Sequence, residues 1–365
     1  MTRNVSFRDF DWTLLALVLV LAGLGVMEIY STTHHTLKFD GAHVKQIYWI
    51  VISIGAMFFV SLIDYHALMN RWVFFYVPLV AGLVGLLAFG QKVFNSKRWV
   101  TLGGVGQFQV SEFVKLVIIL ALARYFSESR EEMVTIPDLA KVGLLAGLPM
   151  ALILAQPDLG TALTIAPAVA VSVFLAGLRA KHLVVLVLVA AFAAPAAWFV
   201  ILKPYQKDRV ATFLNPSLDP QKRGYQQLQS KIAVGSGGLW GKGTAKGSQT
   251  QLSFLPVPHT DFIFAAFAEE HGFFGVVSVL LLYFMVLMRL IHNAQTAPDR
   301  AGVFVVMGVT AILLFQVLVN VGMVVGYMPV VGIPLPLMSK GGSSILFTFM
   351  ALGLVNNVRL RRFVN

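Results

Sequence analysis

Three polar segments interrupt an otherwise apolar chain, and each sets a carboxylate beside basic or glycine-rich sequence. In SKRWVTLGGVGQFQVSEFVK (Ser96–Lys115), Glu112 and Lys115 stand three residues apart at the start of a helical run, with Arg98 upstream. That spacing puts the pair on one helix face. It reads as an intrahelical ion pair, with Glu112 also favoured by the helix dipole, or as a polar pair facing a substrate cavity. Ionisable groups at the ends of membrane spans are costly enough to favour the second reading. In QPDLGTAL (Gln156–Leu163), Asp158 sits in a tight turn set by Pro157 and Gly160. Capping of that turn and a role in a site account for it equally well.

The third segment holds KIAVGSGGLWGKG (Lys231–Gly243) and SFLPVPHTDFIFAAFAEE (Ser253–Glu270). Its glycines permit close backbone approach to a ligand, and Lys231 and Lys242 add positive charge. Flexible loop filling is the plainer reading. Asp261 ends the segment and opens a long apolar run. As an N-cap it would contribute about 1 kcal/mol, but the reciprocal capping box needs Glu or Gln three residues on, where Ile263 and Phe264 stand. A carboxylate there, beside a basic loop, is a credible general base. The helix N-terminus and nearby lysines would keep it ionised and lower its basicity. Glu269, Glu270 and His271 lie about two turns further on; they are polar glue between helices or secondary site candidates. Glu269 and His259 are retained as the latter.

These groups need a membrane scaffold. Hydrophobic residues form 57% of the 365 and charged residues 12%, against roughly 25% charged in soluble domains; mean hydropathy is +0.77. Cysteine is absent, which excludes disulfides, thiolate metal sites and cysteine nucleophiles. The net charge of +11 is better explained by basic loops that set topology than by nucleic acid. The expected fold is all-α and polytopic, one integral-membrane domain over residues 1–365. Ten spans centre on Trp12–Tyr30, Tyr48–Ile63, Phe74–Phe89, Phe113–Phe126, Val142–Ala155, Thr161–Leu178, Leu183–Leu202, Phe262–Leu290, Val303–Val325 and Ile345–Val358. The first is too long for a signal-peptide core and is read as retained. Arg3, Arg8, Arg289, Arg300, Arg359, Arg361 and Arg362 fall on the side of the termini, so both termini are expected in the cytoplasm. A large outer loop, residues 203–261, separates spans seven and eight. Its run Ile232–Trp240 suits a re-entrant or interfacial piece. Its excess of basic residues, Arg209 among them, points to an anionic ligand on the outer face.

HTDFIFA followed by AEEHGFFG, SKIAVGSGGLWGKG, QPDLGTAL and the late GIPLPLMSKGGSS (Gly332–Ser344) occur in the order found in the SEDS family (shape, elongation, division, sporulation). The chain resembles that family from its first span to Arg362, and GSQTQLSFLPVPHTDFIFA resembles its elongation branch more than its division branch. The resemblance implies ten spans in the bacterial inner membrane and peptidoglycan glycosyltransferase activity on lipid II, serving elongation and rod shape. It implies an essential loop aspartate at Asp261, a conserved acid and lysine at Glu112 and Lys115, and a turn aspartate at Asp158. It also implies a partner, a class B penicillin-binding protein that crosslinks the new strands, and other elongation-complex proteins. No soluble cofactor is implied. Family members respond to divalent cations, whose site the sequence does not define. Val110 stands where the family usually has proline, and Lys340 where it usually has tyrosine.

The implied reaction is a single inverting displacement. A sugar hydroxyl attacks the anomeric carbon of the donor, Asp261 takes the proton, and undecaprenyl diphosphate leaves. That diphosphate needs charge stabilisation rather than an acid; Lys115 is the first choice, with Arg98, Arg209, Lys231 and Lys242 behind it. Two rival readings are a lipid II flippase or other transporter, which requires a polar path through the membrane, and a non-catalytic scaffold that activates a penicillin-binding protein.

Overall fold

The computed structural model describes residues 7–34, 41–90, 98–102, 106–129, 133–184, 188, 191, 204–214 and 223–362. Seven helices are long and apolar enough to cross a membrane: Trp12–Thr33, Ala42–Leu62, Trp72–Phe89, Ile136–Ala155, Ile263–Gln295, Arg300–Val325 and Gly342–Leu360. Two further helices match expected spans. Leu159–Leu175 is apolar but shorter. Val110–Glu128 carries Glu112, Lys115, Arg124 and Glu128, yet most of it is buried inside the protein. Most of the span expected at Leu183–Leu202 lies outside the described residues.

Local chemistry sets the helix ends. Asp11 accepts from the Leu14 amide, Asp299 from Gly302, and Asp158 from Thr161, each relieving a helix donor that has no partner within the helix. Thr135 and Asp138 form a reciprocal capping box before Ile136–Ala155. Departing from an all-α expectation, Val100–Leu102 and Gly106–Phe108 pair as a short antiparallel ribbon.

Arg300–Val325 and Gly342–Leu360 form the centre and are mostly buried, while Trp72–Phe89 is largely exposed and presents Phe74 and Phe89 outward. An outward apolar face of this kind suits hydrocarbon, where dispersion rather than hydrophobic burial holds helices together. Gly342–Leu360 packs along Ala42–Leu62. A Cβ on Gly353 would sit 2.7 Å from the Met57 carbonyl oxygen, so only glycine permits that approach.

One pole of the bundle is tied by Asp11. Its carboxylate accepts from Arg289 (2.9 and 2.8 Å), Asn293 (2.8 Å) and Arg359 (3.3 Å), and its amide donates to Asn356. The start of the first helix thus meets the ends of Ile263–Gln295 and Gly342–Leu360. Asp261, Asp158, Arg98 and Arg209 gather at the opposite pole, at the start of Ile263–Gln295.

Candidate active site

Asp261 precedes the Ile263–Gln295 helix, whose N-cap is Phe262 with no side-chain cap. The capping reading therefore fails, and the Asp261 carboxylate is not spent on the helix. The backbone that presents it is held at three successive carbonyls. The Lys340 amide donates to His259 O (3.0 Å), Ser339 Oγ to Thr260 O (2.7 Å), and Asn320 Nδ2 to Asp261 O (3.0 Å). Asn320 also donates to Ile333 O, and Ser339 accepts from the Leu335 amide. The late GIPLPLMSK segment is thus a strap that fixes the aspartate, a role its composition did not signal. Gly332, at φ +76, turns the strap so closely past the site that a Cβ there would lie 3.5 Å from Asp261 Oδ2.

Two arginines and a second aspartate complete the pole. Arg98 pairs with Asp158 (3.2 Å). Asp158 also accepts from Gln109 Nε2 (2.6 Å) and Thr161 Oγ1 (2.9 Å) while capping its helix. Asp158 thus caps its turn and also holds Arg98. Gly160 brings this turn against the strap, since a Cβ there would meet the Gly332 and Val331 carbonyl oxygens at 2.9 Å. Arg209, on the Pro204–Leu214 helix, donates to Val331 O at 3.0 Å. Although part of its surface is open, Asp261 is enclosed by protein. Burial raises its pKa above the ordinary carboxylate value, Arg98 and Arg209 pull it down, and Asp158 pushes it up, with a net rise. This reverses the expectation of lowered basicity. The cations facing Asp261 are arginines rather than lysines, and desolvation outweighs them.

Lys115 and Glu112 form the expected ion pair at 2.9 Å. Lys115 is fully buried, and its ammonium also lies over the Phe347 ring at 3.8 Å. Its charge is paired inside the bundle, and the cations that act on Asp261 are Arg98 and Arg209. The helix begins at Val110, the first helical position, where proline is favoured but not required.

The glycine-rich run serves a different purpose from ligand approach. The Ile263–Gln295 helix breaks at Gly272 (φ 63, ψ −163), and the run lies across the break. Lys242 and Gly243 amides donate to Glu269 O and Glu270 O (3.1 and 2.9 Å), and Phe273 and Phe274 amides donate to Gly238 O and Leu239 O (2.9 and 3.2 Å). The backbone groups freed by the break are re-satisfied there, as a membrane interior demands. A Cβ on Gly241 would run into the Glu270 carbonyl, and one on Gly272 would meet Leu239 O at 2.8 Å. Within Ile232–Trp240 the Arg223–Ser236 helix ends and leads into this crossing. Glu269 fastens it, accepting from Lys242 Nζ (2.7 Å), the Gln249 amide (2.9 Å), and the Thr250 amide and hydroxyl (3.2 and 3.1 Å). Glu269 and Lys242 thereby hold the crossing to the helix. Lys231 lies across Gly326, at the end of Arg300–Val325. His259 is buried, and desolvation, then Lys340, pushes its pKa to about 4; at neutral pH it is an uncharged hydrogen-bonding group.

Residues 11–362 match the family described as "Cell cycle protein", FtsW, RodA and SpoVE. The chain belongs to this family. Among its FtsW/RodA/SpoVE relatives, "Peptidoglycan glycosyltransferase MrdB" of Escherichia coli K12 is 38% identical, covering 99% of this chain and 98% of its own length. "Peptidoglycan glycosyltransferase RodA" of Treponema pallidum is 34% identical, covering 99% of each. The solved structure of the rod shape-determining protein RodA of Thermus thermophilus is 30% identical, with TM-score 0.72 over 97% of this chain and 98% of that one. A chain solved in a study of polymerization and crosslinking by a peptidoglycan synthase complex is 32% identical, with TM-score 0.83 over the same shares. The SEDS resemblance drawn from the motifs and this family are the same.

Proposed function

We propose that this chain is a peptidoglycan glycosyltransferase that polymerises lipid II, with Asp261 as general base. The observation that carries the assignment is the cap-free Asp261, strapped at three carbonyls and flanked by Arg98 and Arg209. The acceptor's sugar hydroxyl oxygen bonds to the donor's anomeric carbon. Its proton passes to Asp261, and the carbon–oxygen bond to the diphosphate breaks with its electron pair leaving on undecaprenyl diphosphate. Arg98 and Arg209 stabilise that developing negative charge, a task for preorganised cations. Burial keeps Asp261 more basic than a solvated carboxylate, and matching a base to the working pH is what makes general-base catalysis effective.

The membrane topology belongs to the same reading. Val110–Glu128, Leu159–Leu175 and the apolar stretch around 183–202 join the seven long helices to give ten spans. The pole tied by Asp11 faces the cytoplasm with both termini, and the Asp261 pole and the 203–261 loop face outward. The relative solved in a peptidoglycan synthase complex supports a class B penicillin-binding protein as the partner that crosslinks the product.

The test is polymerisation of purified lipid II by the purified chain with its partner, the partner's transpeptidase serine being blocked. Wild type yields glycan ladders, and Asp261→Asn loses at least ~100-fold, the lower bound for a positioned base. Equal ladders from both proteins overturn the assignment.

A further inference from the structure

A second polar site lies away from Asp261, at the helix break. Glu28 of the first helix, Glu270 and His271 each offer a ligand atom, and these atoms lie within 4.8 Å of one another. Glu28 is fully buried, and neither of its carboxylate oxygens has a hydrogen-bond partner among the described residues. Its Oε2 faces His271 Nδ1 at 3.9 Å. The other two groups are held in place. Glu270 accepts from Ser31 Oγ (2.5 Å) and the Ala245 amide (3.1 Å), which leaves a lone pair on each oxygen. His271 stacks on Phe267 at 4.3 Å, and its Nδ1 lies 3.3 Å from Phe267 O, a contact it must give up to ligate through that nitrogen.

Buried polar atoms almost always have a partner, and the two Glu28 oxygens, facing Glu270 and His271, have none among the described residues. A divalent cation supplies that partner. We propose that Glu28, Glu270 and His271 bind one divalent metal ion that clamps the first helix to the break in Ile263–Gln295. Two carboxylates and an imidazole suit Mn²⁺ or Zn²⁺ better than Ca²⁺ or Mg²⁺, which prefer oxygen alone. Ligands bound at about 2.0–2.2 Å stand no more than about 4.4 Å apart, so small side-chain rotations close the site.

The ion does not take part in the sugar chemistry. Glu270 is nine residues beyond Asp261, roughly 13 Å at 1.5 Å per residue. Its effect is mechanical. The same short stretch carries Gly272, the crossing glycine-rich backbone and the Ala245 contact to Glu270 and Ser31, so the metal locks the fold that the break would otherwise loosen.

The probe is Mn²⁺, titrated into the purified full chain in detergent after chelation and followed by electron paramagnetic resonance. Wild type and Asp261→Asn each take up one equivalent, and Zn²⁺ displaces it. Glu28→Gln and His271→Gln bind at least ~10-fold more weakly, a loss reported even for groups one shell beyond a metal, and Mn²⁺ no longer raises their melting temperatures. Where Glu28→Gln fails to fold, His271→Gln decides alone, since its ring is partly open to solvent. Equal uptake by wild type and His271→Gln, or uptake lost only in Asp261→Asn, overturns the proposal. So does a wild-type chain that takes up neither ion above background.

Discussion

The Glu112–Lys115 pair distinguishes a structural ion pair from a substrate contact. Its two charges lie 2.9 Å apart, with Lys115 fully buried against Phe347. Removing one member strands the other without solvent, which typically costs about 3–5 kcal/mol. At about 1.4 kcal/mol per decade, that is roughly a 100- to 3,000-fold fall in the folded-to-unfolded ratio. Lys115→Met and Glu112→Gln should each lower thermal stability in detergent by that order. The double variant Glu112→Gln/Lys115→Met removes both charges, and replacing a whole buried pair is often neutral or stabilising. It should regain most of the lost stability. Glycan ladders run on the same proteins complete the cycle. If the pair only braces the bundle, polymerisation recovers with stability in the double variant. Stable double-variant protein that makes no ladders would place Lys115 at the substrate after all. Single variants that lose less than about 1 kcal/mol would refute the burial argument, because an exposed pair contributes no more than that.

Other outcomes follow from the same geometry. As a base, Asp261 must be ionised, so activity falls as pH drops through its raised pKa. The acidic limb of the pH–rate profile should lie above the ordinary carboxylate value of about 3.9, and Arg209→Gln, which removes a cation that lowers that pKa, should move the limb to higher pH; an unmoved limb contradicts the assignment. Gly241→Ala adds a Cβ that collides with the Glu270 carbonyl at φ +80, and left-handed strain plus overpacking should cost about 2–5 kcal/mol. Gly238→Ala, also left-handed at φ +59 but with open space around it, should cost only about 1–2 kcal/mol; thermal melts of the two variants compare them directly. Asn320→Leu frees the Asp261 and Ile333 carbonyls and should lower kcat for lipid II more than it raises KM, because it loosens the base rather than removing a substrate contact.

Hydropathy alone located the seven helices long and apolar enough to cross, because twenty apolar residues have few alternatives to crossing as a helix. The candidacy of Asp261 was also legible. The residue is an acid at the boundary between a basic loop and an apolar run, and its missing capping partner could be read from Ile263 and Phe264. Motif order made the family legible as well.

Sequence spacing is informative within one helix, where i and i+3 share a face, and the Glu112–Lys115 pair was predicted on that ground. Which way the pair points depends on the helices around it, and these bury Lys115 under Phe347. The glycines of Lys231–Gly243 carry the same ambiguity. Lack of a Cβ permits close approach to anything, and only the fold shows that the approaching partner is the broken helix at Gly272. Arg98 and Arg209 lie 163 and 52 residues before Asp261 by their numbers, too far for any local pattern to join them. What decided the basicity of Asp261 was tertiary. Desolvation depends on what packs around a carboxylate, and no count of neighbouring charges along the chain contains that quantity.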